Sequence, residues 1–155
     1  MSVSAYPVVA EADAAQIVLN TIREGCVGET VAAIEAREAA EYTTDPALRS
    51  RLLVISEDET RHAELAYRFV KWALAQGGPA LERAVRREFA ALGAEPRAAQ
   101  RALSAQDEAG LAHGIVPDAL RDVIRARAMA DLILPCSRAL FALDPRATRT
   151  ENVSA

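Results

Sequence analysis

Glu29 and the run Glu59-Thr60-Arg61-His62 are the residues of this 155-residue chain whose types and spacing could do chemistry. Each interrupts an otherwise apolar or small helical stripe. Between about Val9 and Tyr42, the residues Val18, Ile22, Gly25, Glu29, Ala32, Ala33, Ala36 and Ala40 recur every three or four positions, as one helix face does. Between Pro46 and Gln76 the same spacing runs through Leu48, Leu52, Ile55, Glu59, His62, Ala66, Phe69 and Ala73. The midpoint of 29 and 59 falls at residue 44, inside Thr43-Thr44-Asp45-Pro46, where Asp45 suits an N-cap and Pro46 the first helical position. An antiparallel hairpin bent there puts each Glu about fifteen residues, or roughly 22 Å, from the bend. The two come level, and His62, three residues beyond Glu59, shares its face.

Carboxylates drawn into an apolar seam cost several kcal/mol each and repel one another. A divalent cation removes both problems, because it neutralises the charge and uses the lone pairs. Mixed carboxylate and imidazole ligation suits iron, with manganese possible. Calcium prefers oxygen alone, and structural zinc favours thiolates. The small residues Gly25, Cys26, Gly28, Ala32 and Ala33 leave room for ions and for dioxygen. The alternative is a metal-free cluster in which a charged His62 pairs with the carboxylates.

One Glu on a helix and Glu-x-x-His on the next resembles the half-site of the ferritin-like di-iron carboxylate proteins. The stretches Glu24-Gly25-Cys26-Val27-Gly28-Glu29-Thr30 and Asp58-Glu59-Thr60-Arg61-His62-Ala63-Glu64-Leu65 resemble the second helical pair of a bacterial ferritin-like family. The likeness covers about Thr21 to Leu74. It implies a redox metalloprotein in which two ferrous ions react with dioxygen or peroxide, to store iron or to oxidise a substrate. The chain carries only half of such a site. After Pro79 there is one more histidine, His113, and no second Glu-x-x-His. The half-sized encapsulated ferritins are similar in their Glu to Glu-x-x-His spacing and complete the centre by pairing two chains. That similarity implies a homodimer or larger even assembly, with Glu59 bridging and Glu29 and His62 as terminal ligands. The reading from another class is a metal-free helical scaffold or partner-binding module derived from a ferritin-like fold.

These residues need long helices to position them, and the composition supplies helix formers. About a fifth of the residues are Ala and only 5% are aromatic. The expected fold is all-α: a ferritin-like antiparallel hairpin over 9–76, then accessory helices over 79–143, with a four-helix bundle completed by dimerisation. Residues 1–145 form one domain and 146–155 a polar tail. Leu81, Val85 and Phe89 point inward from a helix starting at Pro79, and a charged helical stretch follows from Pro96 to Ala109. The last helix, Pro117 to Leu143, should kink at Pro135. Cys26 and Cys136 read as core residues, Phe69 and Trp72 as packing beneath the hairpin. Glu57, Asp58 and Glu64 read as a solvated face, His113 as a loop residue and Asp131 as a cap or ion-pair partner. A net charge of −4 argues against nucleic acid as a partner. No apolar run reaches the ~20 residues of a membrane span. No basic cluster followed by an apolar core marks a secretory signal, so a cytoplasmic location is expected.

Overall fold

The computed structural model describes residues 11–95 and 102–142, and among these every regular element is helical. The start of the first helix at Val9, the beginning of the charged stretch at Pro96 and the polar tail lie outside the described residues. The chain opens with α1 (Glu11–Thr21), which passes without a break into a π-helical segment, π1 (Ile22–Glu29), and then α2 (Thr30–Tyr42). A short turn leads into α3 (Pro46–Gln76), a 31-residue helix about 46 Å long. Then come α4 (Pro79–Gly93), α5 (Ala105–Ala112) and α6 (Asp118–Ala128). A second π segment, π2 (Met129–Ile133), continues directly into α7 (Leu134–Ala142).

The bend between α2 and α3 forms as the sequence dictates. Asp45 caps α3, its Oδ1 accepting from the amides of Ala47 (2.8 Å) and Leu48 (3.3 Å), and Pro46 takes the first helical position. Thr43 is buried in the turn, where its hydroxyl donates to the Ala112 carbonyl at 3.0 Å. The end of α5 is thereby fastened to the hairpin. The α5–α6 connection closes over α3 through Gly114, at φ +78°, where a side chain would be strained and would also crowd Leu48. At the other end of α3, Gly77 and Gly78 separate it from α4, which starts on Pro79.

α3 runs back along α2 and π1 and packs on both. One core forms on that side of the molecule. It is centred on Ile22, Cys26, Val27, Val70, Val85 and Ile133, all essentially inaccessible, with Phe89 and Ile124 beside them. Val85 and Phe89 point inward as expected from the α4 pattern. A bidentate ion pair between Arg23 and Glu88, at 2.6 and 3.0 Å, fastens π1 to α4. The last helix runs without a break from Asp118 to Ala142, and π2 ends two residues before Pro135, where a kink is expected from the sequence. The widened turn offers an outlet for the carbonyl that proline's missing N–H leaves unpaired.

The outer side of α3 is bare. Val54, Ile55, Leu65 and Trp72 are 56%, 45%, 64% and 59% exposed. Trp72 therefore does not pack beneath the hairpin. It stacks at a tilt on half-buried Phe69, ring centroids 5.8 Å apart, at the surface. Ile55 likewise leaves the seam that its spacing implied. The buried positions of α3 are Ser56, Ala63, Ala66, Val70 and Ala73, a stripe rotated from the one read off the large apolar residues.

Asp45→Ala removes both cap bonds of α3 and is expected to cost about 1 kcal/mol of stability. Urea unfolding measures this as a lower midpoint with an unchanged slope, and Asp45→Asn should recover most of it.

Candidate metal centre

Glu29 closes π1, and the π geometry decides where its side chain lies. Regular α spacing from Ile22 would bury Gly25, Glu29 and Ala32. The i→i+5 bonding of the π segment delays each turn, so the buried positions are Ile22, Cys26, Val27, Thr30 and Val31. Thr30 takes the inward place and donates its hydroxyl to the Cys26 carbonyl at 2.7 Å. Glu29 moves to the flank of the buried stripe and is half-buried.

From α3, Glu59 meets Glu29 at this flank, and His62 adjoins it one turn on. One donor atom from each of the three residues lies within 4.8 Å of the other two. Glu59 Oε2 and His62 Nδ1 are 3.0 Å apart. The Glu59 side chain is 26% exposed and that of His62 60%, so the cluster sits at the protein surface and not inside the seam. The reason is the one-sided packing of α3: π1 and α2 cover one flank, and nothing described covers the other.

The three groups tune one another. The Glu29 carboxyl shares a hydrogen bond with Glu59, which, helped by burial and by the neighbouring charge, holds it above the usual carboxylate range. Glu59 accepts from both Glu29 and His62 and is held below that range. The hydrogen bond to Glu59 raises the imidazole of His62 above its ordinary value. Glu29 thus keeps its proton to higher pH than an ordinary carboxyl, Glu59 gives its own up more readily, and His62 is biased toward its charged form. This arrangement relieves the like-charge repulsion that two facing carboxylates would otherwise suffer.

The donor set fits a transition metal. Two carboxylates and an imidazole match iron or manganese. An ion about 2.1 Å from each donor needs donor atoms no more than about 4.2 Å apart, so a small side-chain adjustment brings the three together. Cys26, although one turn from Glu29, is fully buried, and burial pushes its thiol up to about 12. It belongs to the core and not to the donor group. Cys136 is half-buried. His113 caps the end of α5 and is exposed, as a loop residue would be. Asp131 is exposed on π2, and neither residue joins the donor group. Glu57, Asp58 and Glu64 are solvated and pair with Arg61 and Arg68 along α3.

Ser56 and Tyr67 escape the apolar-periodicity reading, while Gly25 lies in the stripe and its partner does not follow from the spacing. Ser56, buried on α3, donates its hydroxyl to the Ala33 carbonyl on α2 at 2.8 Å and ties the helices together one turn from Glu59. Gly25 lies so close to Ala66 that a Cβ built on it would stand 2.5 Å from the Ala66 Cβ. Tyr67 carries a buried hydroxyl with no hydrogen-bond partner among the described residues. The signal for the first is present in the sequence, since Ser56 and Ala33 are small residues at nearly equal distances from the bend; Gly25 and Ala66 are not at equal distances.

Among the described residues, no helix is long and apolar enough to cross a membrane. The chain matches no family model, no curated protein and no solved structure.

Proposed function

We propose that this protein is a ferritin-like metalloprotein that binds iron through Glu29, Glu59 and His62 and carries out redox chemistry of the ferroxidase type. The observation that carries the reading is the convergence of two carboxylates and an imidazole from two helices within 4.8 Å. Glu29 and Glu59 supply the anionic charge, and their half-buried setting favours a cation between them. Glu59 also orients His62 through the 3.0 Å contact at Nδ1. Iron, when bound, supplies the electrons for reaction with dioxygen or peroxide.

Pairing of two chains follows from the same donor set. One chain offers two carboxylates and one imidazole, while a di-iron centre of this type uses four and two. Two supports favour a homodimer. The donor cluster opens to the surface, and Ile55, Leu65 and Trp72 leave apolar area uncovered on the same helix. The second reading, a metal-free scaffold, rests on the Glu59–His62 contact, since an ion pair of this kind satisfies the cluster without a cation.

Anaerobic titration with ferrous ion is expected to show binding that Glu59→Ala abolishes and His62→Ala weakens tenfold or more. Aerobic oxidation of ferrous ion should run well above the buffer rate and fall to it in Glu59→Ala. A protein that takes up no ferrous ion establishes the scaffold reading instead.

Mass in solution, measured with and without iron, is expected to give a dimer or larger even assembly with one iron per chain. A strict monomer holding two irons per chain excludes a shared site.

Binding should also strengthen as pH rises. Glu29 and His62 are both held above their ordinary values, so each keeps its proton to higher pH than usual, and a cation must displace it. Ferrous affinity is therefore lowest on the acid side and climbs as pH rises through the raised titrations of Glu29 and His62. Calorimetry in buffers of different ionisation enthalpy should detect the released protons. Equal affinity across that range, with no proton release, contradicts the assignment of these two groups as ligands.

A further inference from the structure

The donor cluster lies between two points where the helices touch through very small groups. Toward the start of the chain, Gly25 on π1 faces Ala66 on α3. Toward the bend, Ala33 on α2 accepts the Ser56 hydroxyl of α3 at 2.8 Å. Glu29 stands midway between Gly25 and Ala33, four residues from each, and Glu59 lies between Ser56 and Ala66. Two narrow contacts therefore bracket the level at which the carboxyls meet.

The two contacts differ in how they resist change. Ser56 and Ala33 are joined by a hydrogen bond, which limits separation. At Gly25 the limit is steric. A Cβ there would fall 2.5 Å from the Ala66 Cβ, about 1 Å inside the separation at which two carbons attract. Ala66 is a buried methyl with no rotamer to escape into, so relief requires the two backbones to move apart. Gly28, adjacent to Glu29 in sequence, behaves differently. Its Cβ would meet only the Arg23 carbonyl, at 3.4 Å, an ordinary contact.

We propose that Gly25, through its contact with Ala66, is a positioning residue that sets the Glu29–Glu59 separation and hence the fit of the site to a metal ion. The proposal rests on the metal reading for its functional consequence, but its geometric part stands without metal. Helix propensity alone makes the opposite forecast: Gly25→Ala would favour helix and leave the site unharmed. The steric argument requires Gly25→Ala to push π1 off α3, open the carboxyl pair and weaken ferrous binding. It also requires Ala66→Gly, combined with Gly25→Ala, to restore both.

The experiment compares wild type, Gly25→Ala, Gly78→Ala (where a Cβ meets nothing within 4 Å) and the double variant Gly25→Ala/Ala66→Gly. Anaerobic ferrous titration and crystal structures of the metal-free proteins are the two readouts. Expected are a tenfold or greater loss of affinity in Gly25→Ala, near wild-type affinity in Gly78→Ala, and recovery in the double variant. The structures should show the Glu29–Glu59 carboxyls separated in Gly25→Ala alone. Gly25→Ala with wild-type carboxyl spacing overturns the proposal, as does a double variant that fails to recover. If wild type binds no ferrous ion while the carboxyls still separate in Gly25→Ala, the spacer role stands and the metal reading falls. If Gly25→Ala does not fold, folding of the double variant with wild-type carboxyl spacing supports the same steric cause, and its failure to fold refutes it.

Discussion

Close approach of two helix backbones is the constraint on which this structure depends. Packed helix axes usually lie about 8–10 Å apart, a gap that two facing Glu side chains can span, and small residues at the interface hold the helices at a fixed, close separation. Here Gly25 faces Ala66 and Ala33 accepts the Ser56 hydroxyl, while Ala36, Ala40 and Ala63 are further small residues buried on the same two arms of the hairpin. The same choice explains the composition. An interface of this kind uses Ala in quantity and has no place for aromatic side chains, and the chain is rich in the first and poor in the second. The larger apolar groups needed for stability lie elsewhere, in the layer where π1, α4 and π2 pack around Val70 and Val85.

That division leaves α3 with two unlike sides. Its Val70 side faces the core, while Val54, Leu65 and Trp72 face outward with more than half of each surface exposed. The donor cluster lies at the margin between these sides. Placement at the margin has an electrostatic result. Solvent and the exposed His62 lower the cost of holding two carboxyls together, and the hydrogen bond with Glu59, helped by partial burial, holds Glu29 above the usual carboxylate range. The two carboxyls there are joined by a hydrogen bond instead of facing each other as separate charges.

The sequence made much of this legible because the relevant signals are local or symmetric. Asp45-Pro46 states the start of α3 by its own hydrogen bonding, and Gly77-Gly78-Pro79 states its end. Once the bend is known, counting outward pairs Glu29 with Glu59 without reference to any other contact. What did not follow from counting was rotation. The stripe through Ile55, His62 and Phe69 identified the large apolar positions, yet the packed face of α3 runs through Ser56, Ala63 and Ala66. The apolar pattern reports what is hydrophobic, while the close helix contact selects what is small. Trp72 was misplaced for the same reason: an aromatic at helical spacing was assigned to the core, although the core side of α3 has no room for it.

The π segment was also invisible to period counting, and its effect falls on the site itself. An α register through Ile22–Glu29 would turn Glu29 into the buried stripe, where a carboxylate without partners loses several kcal/mol of hydration. The wider turn instead gives that place to Thr30, whose hydroxyl has a fixed acceptor in the Cys26 carbonyl at 2.7 Å. Glu29 is left on the flank, within reach of Glu59 and still in contact with water. The irregular backbone thus gives the buried place to Thr30, which fills the interface, and leaves the flank to Glu29, which meets Glu59.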